Sequence, residues 1–144
     1  MAEHFTIFVD GSSKGNPGQS GVAFVVFDDD KNIVCTASKD VGKMTNNQAE
    51  YLAVEAALDW CLEFDRPHVT IKSDSELIVK QLNGVYQLKN PRLLDRYAAV
   101  KGTVVLLDGD IGVTFEHIPR EDNHIADKLA KAASDGKCQG LVWE

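Results

Sequence analysis

The chain has 144 residues, of which 44% are hydrophobic and 26% are charged, which is typical of one soluble globular domain with its own apolar core. No apolar run approaches the roughly 20 residues of a membrane-spanning helix, and the first residues lack the basic and apolar regions of a secretory signal. The net charge of −7 argues against a protein that holds nucleic acid mainly through a broad basic surface.

Three strands are predicted at the start of the chain. Residues 4–10 are rich in β-forming side chains, residues 11–19 form a turn of Gly, Ser, Asn and Pro, and residues 21–28 and 32–39 indicate two further strands. Because the connections are short and polar, these strands are expected to form an antiparallel meander.

A long helix is predicted next, over residues 46–64. Its apolar residues recur at intervals of three and four, which is the spacing of one helical face. Thr45 or Asn46 is a suitable N-cap, because a short side-chain oxygen accepts a hydrogen bond from a free N–H group of the first turn.

The second half of the chain alternates strands and helices. We predict strands at 68–73 and 111–118, and helices at 75–82, after Pro91 and at 123–134. This order predicts an α/β fold with a five-stranded mixed sheet, made of a three-stranded antiparallel meander plus two parallel strands, flanked by helices.

The cysteines indicate the redox compartment of the protein, and the uniform composition indicates its domain organisation. Cys35, Cys61 and Cys138 are odd in number and far apart, without a Cys-x-x-Cys pair, which favours reduced thiols and a cytoplasmic location. No repeat, low-complexity tract or linker divides the sequence, so residues 1–144 are predicted to form a single domain.

Four acidic residues stand where a strand or a helix would deliver them to one point of this fold. Two of them end β-rich segments and two lie one turn inside predicted helices; they are Asp10, Glu50, Asp74 and Asp127. Carboxylates beside apolar elements are tolerated when they are solvated, paired or metal-bound, and Mg²⁺ accepts such oxygen ligands. Taken singly, each acid also has a structural explanation as a turn former, a helix cap or a first-turn acid.

Four motifs favour the functional interpretation of these acids. They are D-G-S-x-x-G-N-P-G at 10–18, T-N-N-x-A-E at 45–50, S-D-S at 73–75 and N-H-x-A-D at 123–127. In this order and on these elements, they make the chain resemble a type 1 ribonuclease H over nearly its whole length. The resemblance implies the ribonuclease H-like fold and an endonuclease that hydrolyses the RNA strand of RNA–DNA hybrids, leaving 5′-phosphate and 3′-hydroxyl ends.

The same resemblance implies the cofactor. In that family the four acids hold two Mg²⁺ ions, with Mn²⁺ as a possible substitute, so Asp10, Glu50, Asp74 and Asp127 become the expected catalytic metal ligands. Asp10 is the expected bridge between the ions, since it lies on the first strand. Two adjacent divalent ions suit in-line displacement at phosphate, because one activates water and the other stabilises the leaving oxygen.

A histidine is the expected helper in proton transfer. His117 lies ten residues before Asp127, and a histidine at that spacing in the related enzymes assists proton transfer or product release. Its near-neutral pKa suits that task. The alternative is an ordinary surface histidine at a strand end, and His124 is a weaker rival for the role.

Small polar residues are expected to recognise the hybrid, since RNA is distinguished from DNA through its 2′-hydroxyl groups. By resemblance, the Gly-rich turn and the Asn pair contact the RNA strand, while a Lys and a Thr hold a phosphate of the DNA strand. The expected substrate-binding residues are Gly11, Ser12, Asn16, Lys43, Thr45, Asn46 and Asn47. Asn46 has helix capping as its structural alternative.

One region departs from many relatives. Where they carry a long basic, Trp-rich insertion, residues 83–97 here contribute only Lys89, Arg92 and Arg96 as basic residues, so we expect weak hybrid binding with a steep salt dependence. Two other functions stay open: a relaxed-specificity relative that also cuts double-stranded RNA, and an inactive hybrid-binding scaffold. We expect a monomer that needs neither a membrane nor an obligate protein partner.

Overall fold

A computed structural model describes residues 3–66, 68–85, 87–107 and 112–136. The strands are β1 (Phe5–Gly15), β2 (Gly18–Phe27), β3 (Ile33–Met44), β4 (Val69–Ser73) and β5 (Val113–His117). The helices are α1 (Asn46–Glu63), α2 (Glu76–Leu82), α3 (Leu94–Leu106) and α4 (His124–Ser134). Within the described ranges, no helix is both long and apolar enough to cross a membrane.

The strands form one mixed sheet in the order β3-β2-β1-β4-β5. β1, β2 and β3 pair in antiparallel fashion, whereas β4 runs parallel to β1 and β5 runs parallel to β4. The predicted meander with two added parallel strands is therefore confirmed. Because β4 lies directly beside β1, Asp10 within β1 and Asp74 just after β4 are brought close together.

The first turn is shorter than predicted. Instead of a turn over residues 11–19, β1 continues to Gly15 and its ladder with β2 closes at the pair Gly15↔Gly18. A Cβ atom on Gly18 would lie 2.0 Å from the carbonyl oxygen of Lys14, so this hairpin requires glycine there. Asp10 consequently lies inside β1 and not at its end.

The pairing of β1 with β4 ends near Asp10. The parallel ladder runs from Phe5↔Val69 to Phe8↔Lys72, so Asp10 and Asp74 each follow the last paired residue by two positions. Both side chains therefore stand where the two strands separate.

A capping box starts α1. The Thr45 hydroxyl accepts a hydrogen bond of 3.2 Å from the Gln48 N–H, and the Gln48 side chain accepts one of 3.0 Å from the Thr45 N–H. Thr45, and not Asn46, is therefore the N-cap. The helix then buries apolar side chains such as Leu58 against the sheet, and full burial of one leucine contributes about 1.5–3 kcal/mol.

Two close contacts fix the helices on the two faces of the sheet. A Cβ atom on Gly11 of β1 would lie 2.4 Å from the carbonyl carbon of Ala49 in α1, and one on Gly21 of β2 would lie 2.4 Å from the carbonyl oxygen of Ala130 in α4. Both positions therefore need glycine, because any larger residue would push a helix off the sheet. These contacts set the distance from the sheet at which α1 and α4 present their acidic residues.

Candidate active site

Three carboxylates converge where β1 and β4 separate. Ligand oxygens of Asp10, Glu50 and Asp74 all lie within 4.8 Å of one another. Asp10 is 5% exposed and Glu50 is 9% exposed. Carboxylates this close and this buried need a cation or protons to offset their mutual repulsion.

The fourth predicted acid lines the same cavity from α4. Asp127 lies outside the three-carboxylate group but is close enough to Asp10 to help raise the pKa of Asp10. On its other side, Asp127 Oδ2 is 3.1 Å from Lys131 Nζ and its Oδ1 is 4.0 Å from Arg120 Nη2. The structure thus brings all four acids to one cavity, with the basic side chains of Lys131 and Arg120 beside Asp127.

Burial governs the protonation of the two innermost acids. Desolvation, reinforced by the negative charges of Glu50, Asp74 and Asp127, raises the pKa of Asp10 far above its ordinary value. Desolvation also raises the pKa of Glu50, although the hydrogen bond from the Gly11 N–H opposes this effect. The ionised forms are unfavourable by themselves, and a divalent cation would restore them.

Other residues cap the two helices that Asp74 and Asn46 could have capped. Ser75 caps α2 by accepting a hydrogen bond from the Ile78 N–H, so the Asp74 carboxylate is not used as the N-cap. Similarly, Thr45 caps α1 and leaves Asn46 and Asn47 to face the cavity. The helix-capping explanations for Asp74 and Asn46 are thereby removed.

The cavity has a volume of about 480 Å³ and a mixed polar lining. Besides the acids, it is lined by Gly11, Ser12, Ser13, Asn46, Asn47, Ser75, Arg120 and Lys131. Four of the predicted substrate-binding residues are therefore in place: Gly11, Ser12, Asn46 and Asn47. The Gly11 N–H already donates to Glu50 Oε1, and contact of Gly11 with a substrate stays a prediction.

The other three predicted substrate-binding residues lie outside this lining. Asn16 accepts a hydrogen bond of 2.9 Å from the Asn46 N–H through Oδ1, and Thr45 is engaged in the capping box. Lys43 lies exposed on β3, opposite Gln19 of β2. These residues form the rim beside the cavity, on the side of the β1–β2 hairpin.

His117 is not brought into the cavity. It is exposed at the end of β5, paired in register with Ser73 of β4, and is not among the lining residues. Arg120 occupies the cavity wall instead, because the chain turns through Pro119 into a short 3-10 segment before α4. The expected proton-transfer role of His117 gains no supporting contact.

Sequence reasoning missed Asn123, which joins three parts of the site. Its side chain is 1% exposed, and Nδ2 donates to the carbonyl oxygen of Val9 at 2.8 Å and to Asp74 Oδ2 at 3.3 Å. Among the described residues, its Oδ1 has no hydrogen-bond partner. Asn123 thereby ties β1, the residue after β4 and the start of α4, and its place in the N-H-x-A-D motif was the available signal.

Lys131 and Arg120 were also missed. The spacing of four residues between Asp127 and Lys131 on one helix was the available signal, since residues i and i+4 lie side by side. Nothing in the sequence singled out Arg120, whose position depends on the fold of the loop that precedes α4.

Comparison with known proteins agrees with this geometry. The family described as reverse transcriptase-like matches residues 8–133. Ribonuclease HI of Halobacterium salinarum is 37% identical over 128 residues, which cover 89% of this chain and 63% of that protein. The bifunctional protein Rv2228c of Mycobacterium tuberculosis is 36% identical over 137 residues, which cover 94% of this chain and 37% of that protein. The chain thus spans less than two thirds of the length of these relatives.

Solved structures give the same result. The crystal structure of RNase H1 from H. salinarum superposes with a TM-score of 0.86 at 34% identity, covering 92% of this chain and 98% of that one. LC11-RNase H1, solved in complex with an RNA/DNA hybrid, gives a TM-score of 0.85 at 36% identity, covering 92% and 97%. The chain belongs to the reverse transcriptase-like family and, within it, to the type 1 ribonuclease H group.

Proposed function

We propose that this protein is an endonuclease that hydrolyses the RNA strand of RNA–DNA hybrids and leaves 5′-phosphate and 3′-hydroxyl ends. The observation that carries the proposal is the convergence of Asp10, Glu50 and Asp74 within 4.8 Å, with Asp127 lining the same cavity. A binding module has no need for clustered negative charge facing phosphate. The hybrid bound to LC11-RNase H1 supports the choice of substrate.

The residues present fit divalent cations. The donors are carboxylate oxygens, which Mg²⁺ and Mn²⁺ prefer, and burial makes two of them unfavourable as unpaired anions. Asp10, Glu50, Asp74 and Asp127 would hold two Mg²⁺ ions. When bound, the ions supply an activated water and a stabilised leaving oxygen.

The chain itself supplies recognition and position. Ser12, Asn46 and Asn47 line the cavity and offer hydroxyl and amide groups that suit the 2′-hydroxyls of an RNA strand. Asn16, whose side chain accepts a hydrogen bond from the Asn46 N–H, is also proposed to contact the RNA strand. Lys43 and Thr45 are proposed to hold a phosphate of the DNA strand. We expect the protein to work as a cytoplasmic monomer, as proposed from its sequence.

The test is cleavage of end-labelled substrates. An RNA–DNA hybrid should be cut in Mg²⁺ or Mn²⁺ and stay intact with EDTA, while a DNA duplex of the same sequence stays intact throughout. Product ends are read by ligation and phosphatase sensitivity. We expect hybrid affinity to fall steeply as salt rises, because few phosphate contacts offset the acidic surface.

The same assay separates the alternatives. Equal cleavage of a matched RNA duplex would replace hybrid specificity with relaxed specificity. Hybrid binding without metal-dependent cleavage would replace the enzyme with a scaffold, and neither binding nor cleavage would reject both.

A further inference from the structure

Asp127 lies between groups of opposite charge. On one side it shares the cavity lining with Asp10, Glu50 and Asp74. On the other side, Lys131 Nζ is 3.1 Å from its Oδ2 and Arg120 Nη2 is 4.0 Å from its Oδ1. Within the described part of the chain, Asp127 alone of the four acids has cationic side chains within 4.0 Å of its carboxylate.

We propose that Lys131 is a competing counter-ion, which holds Asp127 while the site is free of metal and turns to a substrate phosphate when a divalent cation takes the carboxylate. The first half of this statement concerns metal binding alone. The second half rests on the proposed function, because it needs a nucleic-acid substrate.

Lys131 suits this part better than Arg120. Asp127 and Lys131 are four residues apart on α4, so the helix itself holds them together. Arg120 is 73% exposed and reaches Asp127 only at 4.0 Å. The lysine side chain is also a compact charge on a flexible stem with three donors, so it exchanges one anionic partner for another by rotating.

An ordinary surface ion pair would leave the lysine outside the cavity. Lys131 instead lines the same cavity as Asp10 and Glu50, so its charge faces the place where a cation would bind. Lys128, on the same helix and exposed, is not among those lining residues. Substitution of Lys128 is therefore a matched control, because it removes the same charge from the same helix.

Two effects of opposite sign follow from the removal of the Lys131 charge. Metal affinity should rise roughly two- to fivefold, the range that corresponds to a partly exposed ion pair, because the cation no longer competes with an ammonium group. Hybrid affinity should fall, and the slope of log K against log salt should shrink by about 0.9 if one phosphate contact is lost.

The experiment compares Lys131→Met, Lys131→Arg and Lys128→Met with the wild-type chain. Mg²⁺ and Mn²⁺ are titrated by calorimetry into each protein without substrate. Hybrid KM is then measured at several salt concentrations. Urea denaturation of each metal-free protein verifies that it is folded, and Lys131→Gln replaces Lys131→Met if the latter does not fold.

We expect tighter metal binding and a smaller salt slope for Lys131→Met, wild-type values for Lys128→Met, and values near wild type for Lys131→Arg. Unchanged or weaker metal binding in Lys131→Met would overturn the proposal, as would an equal gain in Lys128→Met, since that result assigns the effect to net charge. Absence of hybrid cleavage in the wild type would remove the proposed function and leave the metal titration as a separate result.

Discussion

Glu50 and Tyr51 are neighbours on α1 and are both buried, yet the protein treats their polar groups in opposite ways. The Tyr51 hydroxyl donates a hydrogen bond of 2.6 Å to Oε1 of Gln81, itself 5% exposed, and so joins α1 to α2. Glu50 points toward other carboxylates, and burial raises its pKa. In the Tyr51–Gln81 region, the buried polar groups form a hydrogen bond with each other. In the carboxylate site, the negative charges repel one another and need a bound ligand to neutralise them.

This difference separates stability from function. A buried polar group with an internal partner is costly to disturb and stabilises the fold. A buried carboxylate without an opposite charge beside it destabilises the fold and is retained where a ligand supplies that charge. Substitutions in the two regions should therefore change activity and the free energy of unfolding in opposite patterns.

The largest effect is expected from Asp10→Asn. The amide keeps the shape of the side chain but removes the charge at the centre of the carboxylate group, so hybrid cleavage in Mg²⁺ should fall at least about 10³-fold, the upper range for the loss of one electrostatic stabiliser. Single-turnover cleavage rates measure this loss. Near-native cleavage by a folded Asp10→Asn protein would contradict the site assignment.

Asn123→Ala should lower both the function of the carboxylate site and the stability of the fold. It removes the donor that holds Asp74 Oδ2 and leaves the carbonyl oxygen of Val9 without the amide. We expect a loss of about 10- to 100-fold in metal affinity or turnover, as for a residue that orients a ligand, and a loss of about 1–3 kcal/mol in the free energy of unfolding. Calorimetric metal titration and urea denaturation measure the two losses, and a stability loss alone would restrict Asn123 to a structural role.

Tyr51→Phe tests the other side of the comparison. It leaves Oε1 of buried Gln81 without its donor, so the free energy of unfolding should fall by about 1–3 kcal/mol. Metal affinity and the cleavage rate should stay at wild-type values at a temperature where the variant is folded. A cleavage defect in the folded variant would show that the two regions are coupled.

The contrast between these regions also explains what the sequence predicts. The meander, the parallel strands and α1 follow from local periodicity and short connections, and the four acids follow from their motifs. The extension of β1 to Gly15 depends on pairing with β2, which the glycine-rich composition of residues 11–19 concealed. Asn123 contacts Val9 and Asp74, which are far from it in the chain, so the N-H-x-A-D motif marks the residue but not its partners. The position of Arg120 depends on the fold of the loop before α4, which no local pattern encodes.

The smallest effect concerns the pH dependence of stability without metal. Burial and neighbouring carboxylates raise the folded-state pKa of Asp10 above 3.8 and that of Glu50 above 4.5. At pH values between the unfolded-state and folded-state pKa, the folded protein holds protons that the unfolded chain releases. The stabilisation from these bound protons is complete below about pH 4 and is lost as pH rises through the raised folded-state pKa values. Asp10→Asn removes one of these groups, and we expect the variant to be more stable than wild type by about 0.5–2 kcal/mol at pH 8.

Urea denaturation in EDTA from pH 5 to pH 9 measures this dependence. The wild-type curve should fall with rising pH, the Asp10→Asn curve should be flatter, and Tyr51→Phe should lie below wild type with the same slope. Saturating Mg²⁺ should raise the wild-type curve most at high pH, because a cation that binds only the folded state stabilises it by mass action and competes with protons for the carboxylates. Parallel curves for wild type and Asp10→Asn would mean that burial and repulsion of the carboxylates do not destabilise the folded state. The contrast between a destabilising Glu50 and a stabilising Tyr51 would then be wrong.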